Sequence, residues 1–508
     1  MAETELKKRL ENLFKQRSHY ESLWDTAYTY IAPERQVFFR KETRSPNEVG
    51  DEVFDSTAID AAEKLVNVIM SGLTPPWTRW ARLMPGSDVR DPREREELRG
   101  LLQVVEEQLF NLLSRSNFYQ ELQPALLDRI VGGTGTLCLR PDLTNEMLRF
   151  KCPPLAEVAL EEDNGGDTVL RARRFKLTYR QIVDGWGETL PDDFKQRHAA
   201  DEDTHQHTLY ESNERDPLGD WIYTVFLEDG AHVLERRTVP HPYLFATRWS
   251  KIPGSAYGRG PGLRALADVR ALNKVKELAL KNAAKSVAGV YTVVDDGVIN
   301  PYTLTFDSGV FIPVAENNIN NPPIAALPES TSFDVGMFTM DELRNSIKSI
   351  FMADQFQPLG RTPLSATEVV ERTRLIAQDM GATISRLQHE LLLPVLRATL
   401  YWMGRMGQLP EGLEADGSLV RVEFVSQLAQ AQWAQDVQDI LEYLTIAAQF
   451  GEIDPKAGLI IDAHKALRVV GEKKAIPQEI MRSEDEIEAL MQQAAEVQAE
   501  AMEQPGGM

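Results

Sequence analysis

The sequence predicts an α+β chain that is predominantly helical, with its domains interleaved along the sequence. Three observations carry this reading. After Gly258-Arg259-Gly260-Pro261-Gly262 no helix breaker occurs until Gly289, and about 26 helical residues span roughly 39 Å, the thickness of a small domain. A second helical run, Met337 to Met352, returns after a head rich in proline, asparagine and β-branched residues. From Gly132 to Arg237 the pattern breaks into short strand-like runs. No internal repeat or low-complexity linker separates these regions, so the domains are expected to interleave.

Taken in order, Leu6, Leu10, Leu13, Phe14, Tyr20, Trp24, Ala27, Tyr28 and Ile31 keep helical spacing until Pro33, with Arg17 as one polar step on the apolar face. A polar loop runs through Asn47. Phe54, Asp55 and Ser56 open a second helix whose buried face is Ile59, Ala62, Leu65, Val66, Ile69 and Met70, and Pro75-Pro76 end it. Trp77, Trp80 and Leu83 are expected to be packing anchors. Helical patterns follow at 91–115 and 117–130. Strands are expected at Thr136–Leu139, Met147–Phe150, Thr168–Arg173 and within Trp221–Arg237, where Asp229-Gly230 signals a hairpin. Residues 178–207 read as a helix or two plus a solvated loop.

On the long central helix Val269, Leu272, Ala279, Leu280, Ala283 and Val287 share one arc, with Lys276 an exception inside it. Relative to Lys274, the residues Arg270, Lys281 and Lys285 lie at about −40°, −20° and +20°, a basic stripe opposite that arc. The head carries Val290–Val294, a turn at Asp295-Asp296-Gly297, five prolines from Pro301 to Pro328, and the apolar run Val310, Phe311 and Ile312. Leu343, Ile347, Ile350 and Phe351 give the returning helix one apolar stripe. Two prolines and a glycine keep Gln355–Pro363 out of any helix, and Ser365-Ala-Thr-Glu368 is a capping box that starts the next one. That helix puts Val369, Ile376, Met380, Ile384, Leu387, Leu391 and Val395 on one face, and Gly381 and Pro394 should bend or interrupt it. Leu419–Val425 alternates like a strand returning to the earlier sheet. From Leu428 the pattern is helical, with a second capping box at Ser483–Glu486 and a polar tail from Gln498.

The 508 residues, 43% of them hydrophobic and 26% charged, can bury several cores. A net charge of −22 argues against a protein that grips nucleic acid by neutralising phosphates over its whole surface. Cys138 and Cys152, the two cysteines, match no zinc spacing or disulfide framework. No apolar run is long enough to span a bilayer, and the first residues lack a signal core, so the expectation is a protein made and used in the cytoplasm, with no membrane partner. Gly132-Gly-Thr-Gly135 and Gly258-Arg-Gly260 lack the endings of a phosphate loop or dinucleotide fingerprint and read as turns. His205 and His207 have no Cys or carboxylate at ligand spacing. The acidic pairs at 161–163, 201–203 and 295–296 have no apolar pocket to split their pKa values. No enzyme signature, metal site or cofactor is expected.

Several short motifs occur in a fixed order: Phe54-Asp-Ser-Thr-Ala58, Leu73-Thr-Pro-Pro76, Thr247-Arg-Trp249, Tyr257-Gly-Arg-Gly-Pro261, Ala271-Leu-Asn273, Asp295-Asp-Gly-Val298, Ser365-Ala-Thr-Glu-Val369 and Ser426-Gln-Leu-Ala-Gln-Ala-Gln432. In these residues the chain resembles the portal, or head-to-tail connector, proteins of short-tailed bacteriophages, the podoviruses. One departure is Gln427, where a proline is expected. The resemblance implies a portal fold with a wing in 1–256 and 366–426, a first stem helix in 257–288, a clip in 289–333, a second stem helix in 334–353, a tunnel loop in 354–365 and a helical crown in 427–508. It also implies a homo-oligomeric ring, a dodecamer, in the virion at one capsid vertex. Double-stranded DNA would pass through it during packaging, retention and ejection. The terminase large subunit, tail adaptor proteins, and the major capsid and scaffold proteins would be its partners. Phe356, Leu359 and Arg361 of the loop are the expected contacts to DNA or to neighbouring loops, unless the loop is an ordinary surface connection. Val310, Phe311 and Ile312 are expected between subunits. For the stripe of Arg270, Lys274, Lys281 and Lys285 two readings stand: collars facing DNA, or salt bridges to Asp341 or Glu342 of the returning helix or to a neighbour. A tail adaptor or scaffold is the alternative structural role, and a cytoplasmic enzyme with an unrecognised site the alternative class.

Overall fold

The computed structural model describes residues 2–35, 50–86, 89, 91–198, 205–228, 232–288, 290–294, 310–314, 324–326, 333–353, 379–410, 420–425, 437–449 and 462–473. In chain order the amino-terminal half gives helices α1 (Ala2–Ile31) and α2 (Thr57–Leu73), strand β1 (Ala81–Pro85), and helices α3 (Pro92–Arg115) and α4 (Phe118–Val131). Strands β2 (Thr134–Asp142), β3 (Met147–Lys151), β4 (Val158–Glu162) and β5 (Thr168–Thr178) follow, then the short helices α5 (Tyr179–Trp186) and α6 (Asp192–His198). Next come β6 (Gln206–Arg215), β7 (Trp221–Leu227), β8 (Val233–Val239), β9 (Leu244–Arg248), β10 (Lys251–Ile252) and β11 (Ser255–Gly258). The long helix α7 (Pro261–Ala288) leads to β12 (Val290–Val294), β13 (Val310–Val314) and β14 (Ile324–Ala326), and α8 (Phe333–Ile350) returns. Residues 379–387 are helical, Gln388–Leu392 form one π-helical turn, and α9 (Leu393–Arg405) continues before β15 (Val420–Phe424).

Two compact units divide the chain. The first comprises Met1–Trp77, Leu83–Pro363 and Met380–Val422, and the second Thr78–Arg82, Leu364–Asp379 and Glu423–Met508. The core of the first unit is a five-stranded antiparallel sheet in the order β4-β5-β6-β7-β8. Its face takes the apolar stripe of α1: Leu10, Leu13 and Phe14 pack on Ala159, Leu170, Ala172, Tyr210 and Phe226. Arg17, the polar step in that stripe, is 3% exposed because its guanidinium donates to the Leu155 and Val158 carbonyls at 3.1 and 2.6 Å and to Glu21. A three-stranded sheet, β3-β2-β9, lies beside α4. In the second unit the Trp80 and Phe424 rings stack at 6.3 Å, and residues 437–449 and Ala463–Lys473 are helical.

Several expectations need correction. β15 pairs with β1 in a sheet of two strands and does not join the five-stranded sheet. Trp77 is 73% exposed, while Trp80 and Leu83 are buried as expected. β4 and β6 were hidden, since Glu161, Glu162, Glu211 and Glu214 interrupt the apolar alternation, and the strands bury or pair these carboxylates; β9 was hidden because it is buried at every position. The helix with Gly381 and Pro394 departs from α geometry at the π turn one residue before Leu393-Pro394. The capping boxes at Ser365 and Ser483, and the motifs at 295–298 and 426–432, lie outside the described residues.

Candidate functional site: the paired helices and their root

The long helix α7 leaves the body through two glycine runs that face each other. A Cβ on Gly133 (φ +84°) would stand 2.3 Å from the Gly258 carbonyl oxygen, and one on Gly258 2.3 Å from that of Gly133. A Cβ on Gly260 would meet the Ile130 oxygen at 2.2 Å. These glycines are an interlock between two backbones, which corrects the reading of them as turn residues alone. Thr134 Oγ1 accepts from the Gly258 N–H at 3.0 Å and closes the joint.

Beside the joint, Arg129 is 1% exposed. It donates to the Arg248 carbonyl (3.2 Å) and the Thr383 carbonyl (2.7 Å) and stands over the Trp249 ring at 5.1 Å. Burial lowers its pKa to about 9. Arg248 is clamped by Glu390 of the π turn, which accepts from its backbone N–H (2.7 Å), Nε (3.1 Å) and Nη2 (2.8 Å). The helix from 379 onward is thereby fixed to β9.

Further along α7, Asn273 is 3% exposed on a helix face that should be apolar. Its side-chain oxygen accepts from the backbone N–H groups of Phe54 (2.8 Å) and Asp55 (3.1 Å), and its Nδ2 donates to the Val269 carbonyl (2.9 Å). Asp55 in turn accepts from Arg344 of α8 at 2.8 Å, lies 3.8 Å from Lys276 Nζ, and accepts from the backbone N–H of Thr57 at 3.0 Å. Burial opposes its charge, but the hydrogen bonds from Thr57 and Arg344 outweigh burial and hold the carboxyl below its ordinary range. Ser346 donates to Asp268 at 2.7 Å. Around these polar ties Val269, Leu272, Ile347 and Phe351 are at most 1% exposed. Lys276, the exception in the apolar arc, is there to face Asp55.

Outward of Asn273 the pair changes character. Leu278 and Leu280 are each 49% exposed, and Met337 and Phe338 are 51% and 74% exposed. Of the expected apolar arc, Leu280 is therefore in solvent within one chain. The basic stripe is exposed at Arg270, Lys274 and Lys281; the side chain of Lys285 lies outside the described residues. Lys274 and Lys281 do not reach Asp341 or Glu342. Both pair with Glu277 of their own helix, at 3.0 and 2.5 Å, while Asp341 pairs with Arg344. Hydrogen bonds from Lys281, then Lys274, hold the Glu277 carboxyl below its ordinary range. Between the helices, β12 pairs in parallel with β13 and antiparallel with β14, in the order β13-β12-β14. Among the described strands, Val310, Phe311 and Ile312 thus sit at the sheet's edge, opposite Val290, Tyr291 and Thr292. Phe356, Leu359 and Arg361 lie outside the described residues.

Sequence reasoning missed Asn273, Arg344 and Glu277 as functional positions, and it gave Asp55 no role beyond a helix start. The signals were a polar residue and a lysine inside an apolar arc. Among the described residues no group of His, Cys, Asp or Glu is arranged to hold a metal ion, and no described helix is long and apolar enough to cross a membrane. The His205, His207 and His198 rings lie edge to face at 4.8 and 4.4 Å.

Known proteins share this chain's pattern over most of its length. A probable portal protein of Bordetella phage BPP-1 is 25% identical over 525 residues, covering 96% of this chain and 90% of the relative. The portal protein of Salmonella phage epsilon15 is 23% identical, covering 99% and 93%, and that of Enterobacteria phage T3 is 24% identical, covering 90% and 88%. The family model of the bacteriophage head to tail connecting protein matches residues 3–481, and the chain belongs to that family.

Proposed function

We propose that this chain is the subunit of a phage portal, a homo-oligomeric ring at one capsid vertex through which double-stranded DNA is packaged, retained and later ejected. The observation that carries the reading is the order helix, β head, helix, mounted on a root that fixes both helices to one body. In this reading α7 and α8 are the stem, β12–β14 the clip, the sheets and helices of the first unit the wing, residues 354–365 the tunnel loop, and the helical carboxy-terminal region the crown. The clip docks the terminase large subunit during packaging and a tail adaptor afterwards, and the wing meets the major capsid and scaffold proteins. A scaffold or a tail adaptor has no need of a paired-helix stem with a head at its tip. The role is structural; no catalytic chemistry is assigned.

Three placements follow. Arg270, Lys274, Lys281 and Lys285 face the channel as stacked positive collars. Phe356, Leu359 and Arg361 project toward DNA from the tunnel loop. Val310, Phe311 and Ile312 lie at the subunit contact, a placement supported by the edge position of β13, since an edge strand offers unpaired backbone groups to a neighbour. Electron microscopy of the purified chain tests the whole: rings with an axial hole are expected, and a compact monomer at micromolar concentration would falsify the proposal.

A further inference from the structure

We infer that Glu277 is a charge spacer, a carboxylate set between Lys274 and Lys281 that offsets part of the charge of the basic stripe of α7 and thereby keeps bound DNA mobile; the inference rests on the channel-facing reading of the stripe given above. At 1.5 Å per residue, Arg270 and Lys274 lie about 6 Å apart along the helix, Lys281 and Lys285 likewise, and a gap of about 10 Å separates the two pairs. Glu277 occupies that gap. It lies one turn from Lys274 and one turn from Lys281 and accepts a hydrogen bond from each, at 3.0 and 2.5 Å.

Three consequences follow from this geometry. Each ammonium has three donors, so one committed to Glu277 leaves two for phosphate oxygens. The carboxylate holds both long side chains in one geometry, and the two lysine side chains remain 65% and 63% exposed. With its side chain 18% exposed and both ammonium groups converging on it, the carboxylate offsets their charge and weakens the hold of the stripe on phosphate. Arg270 has no ion pair among the described residues, so the stripe keeps one cation at full strength. Because its two hydrogen bonds hold the Glu277 carboxyl low, the spacer stays ionised across the working pH range.

The test uses assembled rings of the full chain and a fluorescent duplex, with binding measured across a range of salt. For Glu277→Gln, which keeps size and an acceptor but removes the charge, the expected result is tighter binding. The plot of log binding constant against log salt should also steepen by about 0.9 for each additional phosphate neutralised. Lys274→Ala/Lys281→Ala should do the reverse. If Glu277→Gln rings match wild type while the lysine variant weakens binding, the spacer role is overturned and the stripe stands. If neither variant changes binding or its salt slope, the stripe reading falls and the spacer with it. Glu277→Ala provides the same readout should the glutamine variant fail to assemble.

Discussion

The root of the helix pair and its outer half are built from the same two helices but solve different problems. At the root, buried apolar side chains surround a set of polar groups that all find partners: Asn273 on two backbone N–H groups, Asp55 on Arg344, Ser346 on Asp268. In the outer half, leucine, methionine and phenylalanine side chains stand about half exposed or more, and Lys274 and Lys281 pair along their own helix. A root that is complete within one chain sets the direction in which the helices leave the body. An outer half that is incomplete leaves surface for other molecules. The difference shows that helix length in this chain is not matched to intramolecular packing.

The root should be the sharper of the two to break. The largest effect is expected for Gly260→Ala, because the new Cβ meets the Ile130 and Arg129 carbonyl oxygens at 2.2 and 2.8 Å and both are backbone. The loss should be on the order of 3 kcal/mol, read as a lowered denaturation midpoint. Gly100→Ala, in open space within α3, is the control and should be neutral or slightly stabilising. Next comes Asn273→Ala, which leaves the Phe54 and Asp55 N–H groups without their acceptor and should cost about 2 kcal/mol. A variant as stable as wild type would show that water replaces the amide.

Asp55 gives the comparison a pH dependence. Its carboxyl titrates below the ordinary value of 3.8, so the folded chain binds that proton less tightly than the unfolded chain. The stabilisation is therefore complete above that ordinary value and is lost as pH falls through the lower folded value. Asp55→Asn should be less stable than wild type near neutrality by about 1–2 kcal/mol, and the gap should narrow under acid. Midpoints of the two proteins that stay parallel from neutrality down into acid would assign the acid transition to other carboxylates.

Much of this was legible in the sequence, and the illegible part has physical causes. The 3.6-residue period found α1, α2, α3, α4 and α7 because each buries one stripe against a sheet or a helix. Strands β4 and β6 were missed because buried or paired glutamates break the two-residue period that marks a strand, and β9 because it is buried at every position and shows no alternation. The motifs of the root were visible as words, but their meaning was not. Phe54-Asp55 and Asn273 are more than two hundred residues apart, and only the fold shows that one caps the other. The glycine runs had the same fate: each reads as a turn alone, and the close approach that requires both is a property of the pair. Lys276 was the exception to the wheel, and such exceptions point to buried partners that a period cannot name.

The smallest effect on the chain itself, and the one that separates the two regions most cleanly, is expected from the outer half. Met337 and Phe338 lie in the first part of α8, ahead of its buried residues Met340 and Ile347, and Leu278 lies outward of Asn273 on α7. Because these side chains are about half exposed or more, replacing Leu278 and Phe338 together by serine removes little burial within one chain, and the denaturation midpoint of the unassembled protein should change by no more than about 0.5 kcal/mol. Helix propensity adds only a few tenths for each serine. In an assembled ring the same two residues would be covered by a neighbour, where burying a large apolar side chain contributes about 1.5–3 kcal/mol. The double variant should therefore fold like wild type, by circular dichroism and denaturation, yet form rings only at higher protein concentration in sedimentation. Root variants should show the opposite order, losing stability first and assembly only as a consequence. If the double serine variant assembles at the wild-type concentration, the outer apolar side chains are not the subunit contact, and the surface they leave open serves some later partner of the ring.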